Sequence, residues 1–418
     1  MTISCPERWY AHGHPVSLPT MRRRRLFATM LVTAIVLATS LVPAHARTPR
    51  WMSRLDAIVA GHPMSIMVGN DGEAWYRHDA WVQHAPASNE KLLLSMALFD
   101  QLGTVRTFRL RAMALGVDPD GTIAGDLYLQ GEGDPEVTQS RIARLARLLQ
   151  AAGVRSIEGR VIGDTGPFHH DWFAPGWKDY FPADYIPLPT ALTFDGNVGP
   201  GGAHIDDPER RAAVALTHAL RDLGVPVAGT AAAGPAIGGL TEMAALSSQP
   251  LRTLVRHMDR RSLNFSAEVL GKALAVDAGA SGTIANAAAA ICSFEAAHGV
   301  AGTCYDASGL SYANRQTAKG MVRLLWVVDT QPWANRLRMS LPDGGQGTLK
   351  GRLANVRVRA KTGTLDNVSA LTGWVWSDDA ATWIEFSLLT SGMDEYKAKT
   401  LEDQIVKVLA ARASDPAL

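Results

Sequence analysis

The strongest constraint on the fold is where the strand-like segments lie. "MSIMVGN" (64–70) and "AWYRH" (74–78) stand near the beginning of the 418 residues. "RVRAKTGTLDNVSALTGWVWS" (357–377) and "ATWIEFSLLTSG" (381–392) stand near the end. All four are rich in β-branched and aromatic residues. Long helical patterns separate the two groups, so the reading is an α/β (α+β) protein whose sheet is closed by both ends of the chain. Within this frame the texture changes after Phe108. "FRLRAMAL", "GTIAGDLYLQGEGDPEV" and "GRVIGD" read as strands with Gly/Asp turns around the helical "QSRIARLARLLQAAG". An aromatic, proline-rich stretch follows, "FHHDWFAPGWKDYFPADYIPLPTAL". We read 47–105 and 201–418 as two parts of one domain, and 106–200 as a smaller α+β domain inserted between them.

Residues 1–46 read as an extension that is not part of the fold. Arg22–Arg25 form a positive region, 26–42 an apolar one, and Ala44-His45-Ala46 a small-residue cleavage site. This is a secretory signal peptide, cut near Ala46, and the mature protein is expected in the periplasm or outside the cell with no stable membrane span. Export permits disulfides. Cys292 and Cys304 remain after cleavage, and a bond between them and a pair of buried thiols are equally compatible with the sequence. No CxxC or HExxH occurs, and no metal or other cofactor is expected. A net charge of +1 argues against a nucleic-acid partner.

Three short pieces carry chemistry: Ser88-Asn89-Glu90-Lys91, Ser262-Leu263-Asn264, and Lys361-Thr362-Gly363-Thr364. Residues i and i+3 of a helix share a face, so Lys91 reaches the Ser88 hydroxyl. A lysine in the first turn is disfavoured by about 0.3–1 kcal/mol through the helix dipole. That cost makes sense if the lysine must lose its proton and serve as the base for a serine nucleophile. Lys361 is then the second cation that lowers the Lys91 pKa. Ser262 relays a proton to the leaving amine, and Asn264 binds the substrate amide and Lys91. The N–H groups of Ser88 and Thr364 suit an oxyanion hole. Thr362, Gly363 and Thr364, with Lys361, suit a substrate carboxylate.

Each piece has a plainer reading. Ser88 is a good helix cap and Lys91 a side chain that extends to water. Ser262 and Asn264 suit a helix break. Lys361–Thr364 suit a solvated strand end with Gly363 as a bulge. Singly, S-x-x-K and S-x-N are weak signals. Together, in this order and on an exported chain, the three form the set found in β-lactamases and penicillin-binding proteins.

With these motifs, and with "GEGDP", "DASGLSYAN" (306–314) and "LPDGGQGTL" (341–349), the chain resembles the D-alanyl-D-alanine carboxypeptidase/endopeptidase family, the class C low-molecular-mass penicillin-binding proteins. The resemblance implies a β-lactamase/transpeptidase-like fold, an antiparallel sheet flanked by helices. It implies acylation of Ser88 by peptidoglycan stem peptides ending in D-Ala-D-Ala, hydrolysis of the acyl-enzyme, endopeptidase action on D-Ala–diaminopimelate cross-links, and β-lactams as inhibitors. An acidic residue of the aromatic loop approaches the diaminopimelate amine in such enzymes, and Asp179 in "GWKDY" is the match here. The stretch from Ser88 to Ser262 is shorter than in members with two inserted domains, and Tyr312 stands where arginine is common. The other readings are a β-lactamase or esterase of the same fold, and a non-catalytic protein that binds the cell wall.

Overall fold

The computed structural model describes residues 48–378 and 380–411. The segment read as a signal peptide lies outside the described residues. Among those described, no helix is long and apolar enough to cross a membrane.

The main sheet has five antiparallel strands in the order Val358–Leu365, Val368–Ser377, Thr382–Ser391, Met64–Asn70, Glu73–His78. Met64–Asn70 pairs with Thr382–Ser391, so the two ends of the chain do close the sheet, with Ile66 opposite Leu388. Successive residues of a strand face opposite sides. Ile66, Val68, Leu371, Ile384 and Phe386 pack under the terminal helices Arg50–Val59 and Glu395–Ala410. Met67, Ala370, Trp374 and Leu389 face the other way, into a core with the helices Glu90–Leu102, Leu251–Arg261, Asn264–Asp277 and Ala318–Asp329. The same alternation acts on the first strand of this order. Val358 and Ala360 belong to the terminal-helix core. Lys361 and Gly363 therefore stand on the opposite face, the one that carries the Ser88 helix.

A second body has its own core, with Leu110, Leu129, Leu145, Leu149, Leu216 and Leu220 at its centre. Its sheet runs Thr241–Ser247, Arg109–Ala114, Leu127–Gly131, Val161–Asp164, Ala232–Gly234. The expected boundary at residue 200 is thus too early, since the helix Pro208–Asp222 and the strands up to Ser247 lie on this body. The reason is topological. Leu127–Gly131, Val161–Asp164 and Ala232–Gly234 are parallel neighbours. Each parallel step needs a crossover, and Gln139–Ala151 and Pro208–Asp222 supply the two. An amphipathic period does not say which core a helix serves. The chain enters and leaves this body side by side, with the Ser248 N–H on the Phe108 carbonyl at 2.8 Å and the Leu251 N–H on that of Arg106 at 2.8 Å. Cys292 and Cys304 are bonded, with their Cα atoms 5.9 Å apart.

Candidate active site

Ser88 lies in a short 3-10 turn, Ala87–Asn89, that feeds the helix Glu90–Leu102. Neither N-terminus has a side-chain cap, so capping is not the work of Ser88. Lys91 does not extend to water; it is fully buried. Its Nζ is 3.1 Å from Ser88 Oγ, 2.7 Å from Asn264 Oδ1 and 2.5 Å from the Ser308 carbonyl oxygen. Two of these partners only accept. The hydroxyl alone can also donate. A neutral amine with two N–H groups and one lone pair fits this set, its lone pair toward Ser88. Burial pushes the Lys91 pKa down to about 8, against the pull of Asp306, Glu268, Asp259 and Glu90.

The structure brings the other two motifs to the same place. Ser262 adopts a left-handed conformation with φ 56 and ends the helix Leu251–Arg261. Its backbone therefore does what the plainer reading expected. Its hydroxyl accepts from Lys361 Nζ at 2.9 Å. Asn264 opens the next helix, and its Nδ2 donates to the Tyr185 carbonyl at 3.2 Å. Lys361 is fully buried, and its pKa falls to about 7, through burial first and the charge of Lys91 second, with Asp259 opposing. The second-cation effect thus falls on Lys361 rather than on Lys91. Gly363 needs to be glycine, because a Cβ there would sit 2.8 Å from the Pro86 carbonyl and 2.9 Å from Asn89 Nδ2. Its absence lets the strand lie against the Ser88 turn. Thr362 Oγ1 donates to Thr348 Oγ1 at 2.7 Å, which ties the "LPDGGQGTL" loop to the strand. Thr364 is half-buried at the strand's outer end. Asp179 is exposed in the turn before the helix Phe181–Asp184, and it makes no hydrogen bond or ion pair among the described residues.

Several residues that hold this geometry escaped the sequence reading. Asp306 accepts from Trp177 Nε1 (2.7 Å), Asn314 Nδ2 (2.7 Å), and the N–H groups of Ser311 (2.9 Å) and Gly309 (3.0 Å). It shapes the loop that turns the Ser308 carbonyl to Lys91. Gly309 follows at φ 77, and a Cβ there would meet the Ala87 carbonyl at 1.9 Å. Glu268 accepts the N–H groups of Ala307 (2.9 Å) and Ser308 (2.7 Å), and burial raises its pKa to about 8. Asp259 takes hydrogen bonds from Ser95 (3.1 Å) and Ser340 (2.7 Å), below both lysines. A signal for it did exist. Leu251, Leu254, Val255 and Met258 mark the buried stripe of the helix, and Asp259 falls on that stripe. Lys272, equally buried, donates to the carbonyls of His169 (2.8 Å) and Pro189 (3.0 Å) and pairs with Asp171 at 2.6 Å, so it holds the aromatic loop.

The fold has relatives. Penicillin-binding protein 4 (dacB) from Haemophilus influenzae superposes with a TM-score of 0.75 at 20% identity, over 86% of this chain and 99% of that one. A predatory endopeptidase from Bdellovibrio bacteriovorus, solved acylated by penicillin G, superposes with a TM-score of 0.50 at 18% identity, over 85% of this chain and 93% of that one. In sequence, a D-alanyl-D-alanine carboxypeptidase from Actinomadura sp. is 27% identical over 439 residues, covering 83% of this chain and 80% of the relative. Carboxypeptidase DacB from Mycolicibacterium smegmatis is 28% identical over 391 residues, covering 85% and 82%. The profile of the D-Ala-D-Ala carboxypeptidase 3 (S13) family matches residues 56–200 and 200–412, a span that holds all three motifs and every buried group around them, and the chain belongs to that family.

Proposed function

We propose that this protein is an exported serine DD-peptidase acting on peptidoglycan stem peptides that end in D-Ala-D-Ala. One observation carries the assignment of roles: Lys91 Nζ has two acceptor-only partners and one hydroxyl, that of Ser88. Neutral Lys91 takes the Ser88 proton as Oγ attacks the carbonyl of the penultimate D-Ala. The N–H groups of Ser88 and Thr364 stabilise the oxyanion, where one donor is worth about 2.7–4 kcal/mol. The C–N bond breaks, and the terminal D-Ala leaves with a proton passed through Ser262. Water then attacks the acyl-serine and gives its proton to Lys91, which passes it to Ser88 Oγ as the ester C–O bond breaks and the shortened peptide leaves. Charged Lys361, with Thr362, Gly363 and Thr364, receives the terminal carboxylate. Its strand is the outermost of the main sheet, which suits an extended peptide laid alongside. The aromatic loop with Asp179 lies over the "DASGLSYAN" loop, the Tyr312 N–H on the Gly176 carbonyl at 3.1 Å, which supports a role in recognising the third residue of the stem. Cleavage of D-Ala–diaminopimelate cross-links follows by the same steps. The leader read at 22–46 sends the enzyme to the periplasm or beyond.

The test is the intact mass of the purified protein after incubation with benzylpenicillin, wild type beside Ser88→Ala. One lasting adduct per chain, absent from the variant, is expected. Rapid loss of both adduct and drug would make the protein a β-lactamase. No adduct at any time overturns the acyl-serine mechanism.

A further inference from the structure

Asn264 also lines a cavity of about 1060 Å³. Tyr185, whose carbonyl binds Asn264, lines it too. Part of its lining is the segment around Asn264, including Arg261. Arg141, Arg144 and His204 line it as well. The charges in this cavity are unequal in their commitments. Arg141 pairs with Asp134 at 3.0 Å, and His257 pairs with Glu136 at 2.6 Å. Asp195 accepts the Gln139 N–H at 3.2 Å. Arg144 and Arg261 are exposed and make no ion pair or hydrogen bond among the described residues. Two uncommitted guanidinium groups thus line one cavity that also reaches Asn264.

We propose that this cavity holds the stem peptide upstream of the scissile bond, and that Arg144 and Arg261 bind a free carboxylate on it. The inference rests on the DD-peptidase reading in one respect: Asn264 then meets the amide on the upstream side of the penultimate D-Ala, so what lies past Asn264 is the upstream peptide. The chemistry of that peptide selects the ligand. Its glutamyl residue is linked through the γ-carboxyl, which leaves an α-carboxylate that is either free or amidated. A planar guanidinium binds a carboxylate in a bidentate fork, and it gains no such fork from a carboxamide. The cavity therefore sorts stems by amidation.

The experiment is calorimetric titration of Ser88→Ala, which cannot turn substrate over, with two synthetic stem pentapeptides that differ only in carboxylate or carboxamide at that position. The carboxylate peptide is expected to bind about five- to tenfold more tightly. Adding Arg144→Ala and Arg261→Ala is expected to remove that advantage and leave carboxamide binding within about twofold. In the otherwise wild-type chain the same two substitutions are expected to leave the rate of benzylpenicillin acylation unchanged, since the benzyl group past its side-chain amide carries no carboxylate for them to bind. Raising the salt is expected to compress the advantage without any substitution, which serves as a second measurement if the variant does not fold. Equal affinities for the two peptides, or an advantage that survives both substitutions, overturns the proposal. A carboxylate advantage in a protein that neither takes penicillin nor releases D-alanine would keep the cavity assignment and discard the DD-peptidase reading.

Discussion

The proposed roles ask opposite things of two buried lysines. Lys91 must be neutral to take a proton and Lys361 charged to hold a carboxylate, yet Lys361 has the lower pKa, about 7 against about 8 for Lys91. Raising the pH through about 8 frees the Lys91 base, and raising it through about 7 discharges Lys361. The productive state is therefore most populated between the two values, and the rate of acylation by benzylpenicillin should be bell-shaped with its maximum at about 7.5. A penicillin ester, which lacks the carboxylate, should lose the high-pH limb. A profile that stays flat from pH 6 to 9 would remove both lysines from these roles. At Gly363 the prediction is steric. Gly363→Ala pushes the strand from the Ser88 turn by the carbonyl contact at 2.8 Å, and acylation should slow at least tenfold on the order of the cost of small misplacements. Stopped-flow acylation with a fluorescent penicillin reads it, and an unchanged rate would mean that the strand need not lie so close. The cluster of Ser88, Lys91, Ser262, Asn264 and Lys361 was legible because the spacing of Ser88 and Lys91 is a helical repeat and because Lys361 ends an alternating run. Glu268 and the partners of Asp259 could not be read because those contacts lie far along the chain, Ser95 at 164 residues and Ser308 at 40. Sequence spacing does not carry contacts of that range.

Among the elements, the loop from Asp306 to Asn314 does most to orient the base, and two devices hold it. One is the set of hydrogen bonds to Asp306. The other is the Cys292–Cys304 bond, which fixes the chain two residues before Asp306 to the helix Ile284–Ala297. Closing a loop with a sequence separation of 12 stabilises the fold by about 2–4 kcal/mol. Cys292→Ala with Cys304→Ala should lower the melting temperature by several degrees and slow acylation, because the Ser308 carbonyl loses its fixed position. A variant that melts earlier but acylates at the wild-type rate would confine the bond to stability. Strand and helix positions were readable from periodicity, down to the segment "MSIMVGN", which is a strand over its full length. The helix break at Ser262 was legible only in part. A left-handed residue at φ 56 is set by what the Ser262 hydroxyl and the flanking helices pack against, not by a glycine that would announce it.

Across the whole molecule the two cores are stitched rather than merely joined. Phe168 and Ala191, at the two ends of the aromatic loop, belong to the catalytic core, while Leu192 and Phe194 belong to the other. Lys272 fastens this loop from below. Thermal unfolding should therefore be a single transition. Lys272→Ala, which removes the donor from the two carbonyls while Asp171 keeps the Ile284 N–H, should cost about 1–3 kcal/mol. Calorimetry would show a lower midpoint, and two separate transitions in the wild type would contradict the stitching. This connection also explains why the boundary at residue 200 misled. A domain that sends a loop back into its neighbour has no composition change at its edge, and only the parallel strand order reveals where the second body ends.

The strand order of the main sheet also sets a clock. The strand Met64–Asn70 takes its place against Thr382–Ser391, and Lys361 comes from the last sixth of the chain. At about 5–20 residues per second, the early strand waits on the order of tens of seconds of synthesis for its neighbour. A chain still being synthesised has Ser88 but no Lys361, no closed sheet and no cleft. The proposed cleft is therefore completed only by the final strands, and a chain that ends before them lacks it.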